Sequence, residues 1–239
     1  MAPANLVGIA IKATSQQHQS MHVGLIYERT SGGLYFVHLT GHNELEDEPA
    51  PNDLGYLWSD FAWLSDPENN SLADIIANHI EMCARTREIP YGPNPPDQAF
   101  DFEGRYICKN RYLGLTCATF VSHVLADIGI KVVDLSTWES RPDDQDWWEF
   151  VSRYIDEART QELEGVRVNY RLRPDEVATA VAGEKIPLVF NEAIIGSASL
   201  RSQLFPKIEI DASRPDGAAV ANNNIITAPL SEDSQMKTK

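Results

Sequence analysis

The sequence predicts an α+β fold in which an antiparallel sheet packs against a helix. Three short apolar runs near the N-terminus, "NLVGIAIKA", "MHVGLIYE" and "GLYFVHL", have the length and composition of strands. The last two are separated by "RTSGG", whose glycines permit the positive φ angles of a hairpin turn. Further along, "CATFVSHVLADIG" repeats apolar residues at helical spacing, with Thr116 as its candidate N-cap and Gly129 as its end.

Two further helices and a long loop are expected before and after the helix that contains Cys117. A helix is predicted over residues 71–86, where Ser71 is the candidate N-cap and isoleucines recur near helical spacing. Residues 88–106 carry four prolines and are predicted to form a loop. Another helix is expected within residues 134–160, after the acidic turn "RPDDQD".

The remaining segments have weaker patterns. Residues 41–70 are acidic and contain prolines, so we expect irregular structure there, apart from a docked loop or short helix at "LGYLWSDFAWL". Past residue 165 the patterns favour a strand at 166–172, a short helix at 174–182 and a strand at 186–190.

These elements predict one main domain with additions. The expected parts are a core over residues 1–165 with an acidic insertion at 41–70, a C-terminal elaboration over 166–210 packed on it, and a disordered tail over 211–239.

The charge is strongly negative and unevenly distributed. The formal net charge is -15, and no Lys or Arg lies between Arg29 and Arg85. Ten acidic residues fall in that interval, namely Glu44, Glu46, Asp47, Glu48, Asp53, Asp60, Asp66, Glu68, Asp74 and Glu81. Such a field repels nucleic acid and anionic lipid, so we expect no nucleic-acid partner and a neutral or cationic substrate. Segment 44–68, with Trp58 and Trp63, is a candidate surface for a protein partner.

The sequence also indicates the cellular compartment in which the protein is expected. No apolar stretch approaches the roughly 18 residues that a membrane span needs, and the first apolar run lacks the flanks of a signal peptide. Three cysteines at irregular spacing favour a reducing environment over a disulfide framework. We therefore expect a soluble protein, either cytoplasmic or exported by a route that needs no signal peptide.

Cys117 is the candidate nucleophile. A thiol in the first turn of a helix faces free N–H groups and the positive end of the helix dipole, which stabilise a thiolate. Cysteine is also one of the most buried residue types, so a role as a small core residue stays open.

His22 and His38 are the candidate partners of this thiol. They flank the predicted hairpin at an even spacing, and a turn centred on Thr30 places them directly opposite each other on one face of the sheet. One imidazole can then take the thiol proton while the other fixes its tautomer. A structural role for each histidine is the alternative, and a shift of one residue in register would separate them.

The two motifs together resemble those of NlpC-type cysteine hydrolases. "HVGLIYERTSGGLYFVHL" is similar to their histidine-bearing hairpin, and "GLTCATFV" is similar to the helix start that carries their cysteine. The hairpin precedes the helix here, which is the order of the circularly permuted branch. That branch includes lecithin retinol acyltransferase-like enzymes and related bacterial amidases. The resemblance implies a permuted papain-like fold, and it covers residues 20–40 and 89–128.

Carried over residue by residue, the resemblance implies a catalytic role for each motif. Cys117 is the implied nucleophile, His22 the general base and His38 the residue that orients it. "IPYG" is similar to the segment that supplies a tyrosine near the family's cysteine, which makes Tyr91 a candidate helper of the nucleophile or oxyanion. The family's usual Asp and Ser on either side of the cysteine are replaced here by Thr116 and Ala118.

The function that follows is hydrolysis of an amide bond in a peptide, isopeptide or cell-wall peptide, without a cofactor or metal. Two alternatives stay open: thiol acyl transfer or lipid hydrolysis of the lecithin retinol acyltransferase type, and a non-catalytic papain-like scaffold. Trp58 and Trp63 are candidate substrate-binding residues beside the cleft. A zinc site built from His22, His38, His42 and a cysteine is disfavoured, because the sequence has no closely spaced ligand pair.

Overall fold

A five-stranded antiparallel sheet lies at the centre of the fold. Its strands, in the spatial order β4-β3-β2-β1-β5, are β1 (Val7–Ser15), β2 (Ser20–Glu28), β3 (Leu34–Gly41), β4 (Glu44–Pro49) and β5 (Leu57–Asp60). The structure is a computed structural model that describes residues 7–50, 55–65, 69–110, 112–152 and 170–206. The three strands predicted near the N-terminus are confirmed as β1, β2 and β3.

The two edge strands were not predicted. β4 pairs with β3 and β5 pairs with β1, so the segment expected to be irregular supplies both edges of the sheet. An edge strand has one paired side and is largely solvated, so its sequence need not alternate between apolar and polar residues. The short helix expected nearby is present as a single 3-10 turn at Ala62–Leu64.

Five α-helices are described, and four of them were predicted. They are α1 (Asn70–Cys83), α2 (Cys117–Ala126), α3 (Asp144–Ser152), α4 (Pro174–Ala182) and α5 (Phe190–Leu204). The helix α1 begins before Ser71 and has Asn69 at its N-cap position, so the predicted cap is wrong. The strand predicted at 186–190 is also wrong, because Leu188 makes only an isolated bridge to Val133 before α5 begins.

One face of the sheet is covered by helices and contains the main core. α1 and α2 pack against β2, α2 also packs against β3, and α4 packs against β1 and β2. The core residues along β2 are Val23, Leu25 and Tyr27, and they alternate with residues on the other face. The residues up to Phe205 thus form one compact unit that includes α4 and α5.

The remaining predictions concern segments that are described in part. Of the strand predicted at 166–172, only residues 170–172 are described, and they are not in a strand. The tail predicted at 211–239 lies outside the described residues. None of the described helices combines the length and the apolar character that crossing a membrane requires.

Candidate active site

The cysteine-bearing helix begins with a capping box. The Thr116 hydroxyl accepts the Thr119 N–H at 3.2 Å, and the Thr119 hydroxyl accepts the Thr116 N–H at 2.7 Å. These bonds satisfy N–H groups that have no partner within the helix. α2 therefore begins at Cys117, as predicted, with the thiol in its first turn.

Cys117 lines a cleft together with the first residues of β2 and the last residues of β3. Pairing between these strands reaches only to Leu25 and Val37, so the first residues of β2 are not paired with β3. Val23 points into the core under α2, whereas the preceding residue, His22, points to the other face of the sheet. Cys117 and His22 both line this cleft.

His22 and His38 contact each other through their ring nitrogens. Nε2 of His22 lies 2.7 Å from Nδ1 of His38, and the two rings are inclined by 70°. His38 is buried and stacks on Phe36 with 4.3 Å between ring centroids. The pair therefore contains one imidazole at the cleft and a second, immobilised imidazole behind it.

The predicted register of this pair is wrong by two residues. Leu25 pairs with Val37, which centres the turn on Ser31 rather than Thr30 and places Gly24 across from His38. A Cβ atom at Gly24 would lie 2.6 Å from the His38 Cβ. The histidines still share a face because the shift is even, and they meet diagonally past a residue that has no side chain.

Two carboxylates on β4 complete a chain of hydrogen-bonding groups. Nε2 of His38 lies 3.4 Å from Oε1 of Glu48 and 3.6 Å from Oε2 of Glu46, the register partner of His38. A proton on His38 Nε2 satisfies these carboxylates and leaves Nδ1 to accept the proton of His22 Nε2. The lone pair of His22 is then on Nδ1. Neither glutamate was recognised in the sequence, because both lie in the segment expected to be irregular.

The protonation states of the thiol and the imidazole are set mainly by burial. Burial raises the pKa of Cys117, although the Val23 N–H and the charge of Arg171 act in the opposite direction. Burial lowers the pKa of His22 to about 4, with further contributions from His38 and Lys12. At neutral pH the site thus holds a thiol and a neutral imidazole rather than a thiolate and an imidazolium.

Tyr91, the candidate helper residue, lines the cleft together with Cys117. Burial raises the pKa of its hydroxyl, and the backbone N–H of Cys117 acts on that pKa in the opposite direction. An isolated parallel bridge between Tyr91 and Leu115 brings the proline-rich loop beside the start of α2. Tyr91 therefore lies near the first turn of α2, where a backbone N–H can stabilise an oxyanion.

The far wall of the cleft comes from the C-terminal part of the chain. The cleft has a volume of about 800 Å³, and Trp147 and Arg171 line it together with Cys117. Sequence reasoning missed both residues. Trp147 lies in a helix with no feature pointing to a site, and Arg171 lies in a segment that was predicted to be a strand.

The structure does not bring the two candidate substrate-binding tryptophans into this cleft. Trp58 is 63% exposed on β5 and lies two strands away from β2. Trp63 donates from Nε1 to the carbonyl oxygen of Val181 at 3.1 Å, so its polar atom is used within the fold. Among the described residues of segment 44–68, none lines the cleft.

One group of side chains within the described ranges has the spacing of metal ligands. It consists of His38, Glu46 and Glu48, whose ligand atoms lie within 4.8 Å of one another. The alternative set that includes His22, His42 and a cysteine is not grouped in this way among those residues. His38 is already engaged by His22, so we assign the two glutamates to orienting this pair.

Comparison with models of protein families, with curated proteins and with solved structures finds no match to this chain.

Proposed function

We propose that this chain is a cysteine-dependent hydrolase of the NlpC-type superfamily with a permuted papain-like fold, and that it cleaves an amide bond through a thioester. The observation that carries the proposal is that Cys117, at the start of α2, lines one cleft with His22, whose ring is hydrogen-bonded to His38 behind it. The order of hairpin before helix supports the permuted fold.

The first half of the reaction forms the thioester. The thiol proton of Cys117 passes to Nδ1 of His22 as the sulfur forms a bond to the substrate carbonyl carbon, and the carbonyl π electrons move to oxygen. The backbone N–H of Cys117, in the first turn of α2, is the donor to this oxyanion, and Tyr91 lines the cleft beside it. When the C–N bond breaks, His22 returns the proton to the leaving amine.

The second half releases the acid and restores the enzyme. A water molecule attacks the thioester carbon and gives a proton to His22, and the C–S bond then breaks. The sulfur leaves as a thiolate and regains its proton from His22. Since burial disfavours the free thiolate and the imidazolium, general-base transfer suits this site better than a preformed ion pair.

The experiment that tests the proposal uses p-nitrophenyl acetate as an activated acyl donor. We expect transient acetylation of Cys117, identified by peptide mass spectrometry, together with release of nitrophenolate. Cys117→Ala should remove both signals, and His22→Ala should slow acetylation by about 100-fold, in the range of general-base contributions. Cys83→Ala is the matched control, because that thiol is fully buried.

Equal acetylation rates in wild type and His22→Ala would overturn the proposal, as would full turnover in Cys117→Ala. Hydrolysis of aminomethylcoumarin amides by the wild type but not by Cys117→Ala then tests the preference for amides over esters.

A further inference from the structure

Arg171 brings a positive charge to the nucleophile. Its guanidinium lines the cleft with Cys117 and Tyr91, and its charge acts on the pKa values of both groups. Burial lowers the pKa of Arg171 itself to about 10, so the side chain remains charged at neutral pH. The cleft therefore contains a permanent cation close to the bond-forming sulfur.

The position of this cation is fixed from two sides. The guanidinium carbon lies 4.4 Å from the ring centroid of Trp147, in a cation–π contact on the cleft wall. The backbone carbonyl of Arg171 accepts a hydrogen bond from the Arg141 guanidinium at 2.6 Å. An arginine held in this way presents its donors with little loss of side-chain entropy on binding.

The neighbouring arginines differ from Arg171 in having carboxylate partners. Arg141 is bound by Glu176, and Arg173 is bound by Asp143 at 2.6 Å. For Arg171, the described part of the chain offers no carboxylate within salt-bridge distance of the guanidinium. Asp144 acts on this charge from beyond salt-bridge distance, so the guanidinium is open to direct pairing with a ligand carboxylate.

We infer that Arg171 and Trp147 form a subsite for a carboxylate of the substrate, next to the carbonyl that Cys117 attacks. This inference rests on the proposed function and narrows its substrate class to amides with an anionic group near the scissile bond. Arg171 pairs with the carboxylate, while Trp147 packs against the substrate and holds the guanidinium in place.

The charge that acts at Cys117 thus differs in sign from the net charge of the whole chain. The net charge of -15 led to the expectation of a neutral or cationic substrate. Asp143 and Asp146 also line the cleft, but Asp143 is engaged by Arg173. At the nucleophile itself, the charge acting on the sulfur is that of Arg171.

The test compares two alkylating reagents that attack the same thiolate. Iodoacetate carries a carboxylate and iodoacetamide is neutral, so the ratio of their rates at Cys117 is independent of the thiolate fraction. Cys108 is a free, half-buried thiol of the same protein and serves as the internal reference. Site-resolved mass spectrometry gives both ratios from one sample.

We expect the iodoacetate to iodoacetamide ratio at Cys117 to exceed that at Cys108 by about ten-fold, which corresponds to about 1.4 kcal/mol. Arg171→Gln should remove the excess, and Arg171→Lys should retain part of it. Arg85→Gln is the control, because Arg85 is an exposed arginine that pairs with Glu81 on α1. Equal ratios at Cys117 and Cys108 in wild type would overturn the inference, as would an unchanged excess in Arg171→Gln.

A second measurement needs only the wild type and so does not depend on whether the variants fold. N-acetylglycine at constant ionic strength should protect Cys117 from iodoacetamide, whereas N-acetylglycinamide should not. Equal protection by the two compounds would contradict a carboxylate subsite. Neither measurement requires turnover, so failure of the proposed hydrolase activity remains distinguishable from failure of this inference.

Discussion

Nε2 of His22 lies 2.7 Å from Nδ1 of His38 even though the two residues are not opposite each other in the sheet. The residue across from His38 is Gly24, and the absence of a side chain there lets the two rings meet diagonally. A Cβ atom at this position would also lie 2.7 Å from the carbonyl oxygen of Val37. The hydrogen bond between the histidines therefore depends on a glycine that takes no part in it.

Gly24→Ala should separate the two histidines. The added methyl group has to displace both His38 and the backbone of β3, so we expect a loss of about 1–3 kcal/mol in the free energy of unfolding and slower acetylation of Cys117. Gly8→Ala is the matched control, because its Cβ would lie 2.9 Å from the carbonyl oxygen of Ser59, away from the site. Similar destabilisation in both variants with a rate loss only in Gly24→Ala is the expected result. A normal rate in Gly24→Ala would show that the contact between the rings is dispensable.

The sequence contained enough information to find the helix start and the histidine pair. The start of α2 can be identified from the adjacent residues Thr116 and Cys117. The even spacing of His22 and His38 places both on one face of the sheet, and a register shift of two residues does not change this. The register itself depends on the turn, where the carbonyl oxygen of Gly33 accepts the Arg29 N–H at 3.0 Å. The missed residues have no such local signal.

Arg171 and Trp147 reach the cleft only through tertiary packing, since they come from separate segments that follow the cysteine helix. Glu46 and Glu48 lie on an edge strand whose exposed side chains hide the alternation that identifies central strands. For these four residues the position at the candidate site depends on which elements meet in space, and the periodicity of the sequence carries no information about that.

Replacing both glutamates at the end of the hydrogen-bonding chain should weaken His22 as the proposed general base. Glu46→Gln or Glu48→Gln alone leaves one carboxylate near His38 Nε2, so each single variant should lose little activity. The double variant removes both charged acceptors, and we expect acetylation of Cys117 to slow by about ten-fold. Glu44→Gln, on the same strand, is the control. Additive losses from the two single variants would argue against a shared role as acceptors.

The acylation rate should depend on pH through His22. The imidazole accepts the thiol proton only when it is neutral, and its pKa is lowered to about 4. The rate of nitrophenolate release should therefore fall as pH falls through about 4, and it should be nearly constant from pH 5 to pH 7 by the same reasoning. A midpoint near the ordinary histidine value would show that the imidazole is not desolvated in the free enzyme.

His22 should also destabilise the protein in acid. Its folded-state pKa is lowered from 6.5 to about 4, so the unfolded chain binds the proton more tightly. The contribution of neutral His22 to the free energy of unfolding is therefore fully present above pH 6.5. It is lost as pH falls toward 4, and the loss is at most about 3 kcal/mol. The free energy of unfolding, measured by urea titration, should fall less between pH 6.5 and pH 4 in His22→Gln than in wild type. His123, whose pKa burial also lowers to about 4, is present in both proteins and cancels in the comparison. Parallel stability curves would contradict the lowered pKa of His22.

The buried ion pair of Arg141 and Glu176 should support the far wall of the cleft. Glu176 is fully buried, binds the Arg141 guanidinium and accepts the backbone N–H of Arg173 at 2.9 Å. Glu176→Gln removes the charge of this partner while Asp144 remains 3.6 Å from Arg141, so we expect a loss of about 1–3 kcal/mol in the free energy of unfolding, measured in urea. Glu184→Gln, at an exposed position after α4, should change it little.

Arg141 also holds the backbone carbonyl of Arg171, so the loss of its carboxylate should reach the cleft. In the fraction of the Glu176→Gln variant that remains folded, the iodoacetate to iodoacetamide rate ratio at Cys117 should fall toward the ratio at Cys108. A destabilised variant that keeps the full preference would mean that Trp147 alone fixes the guanidinium.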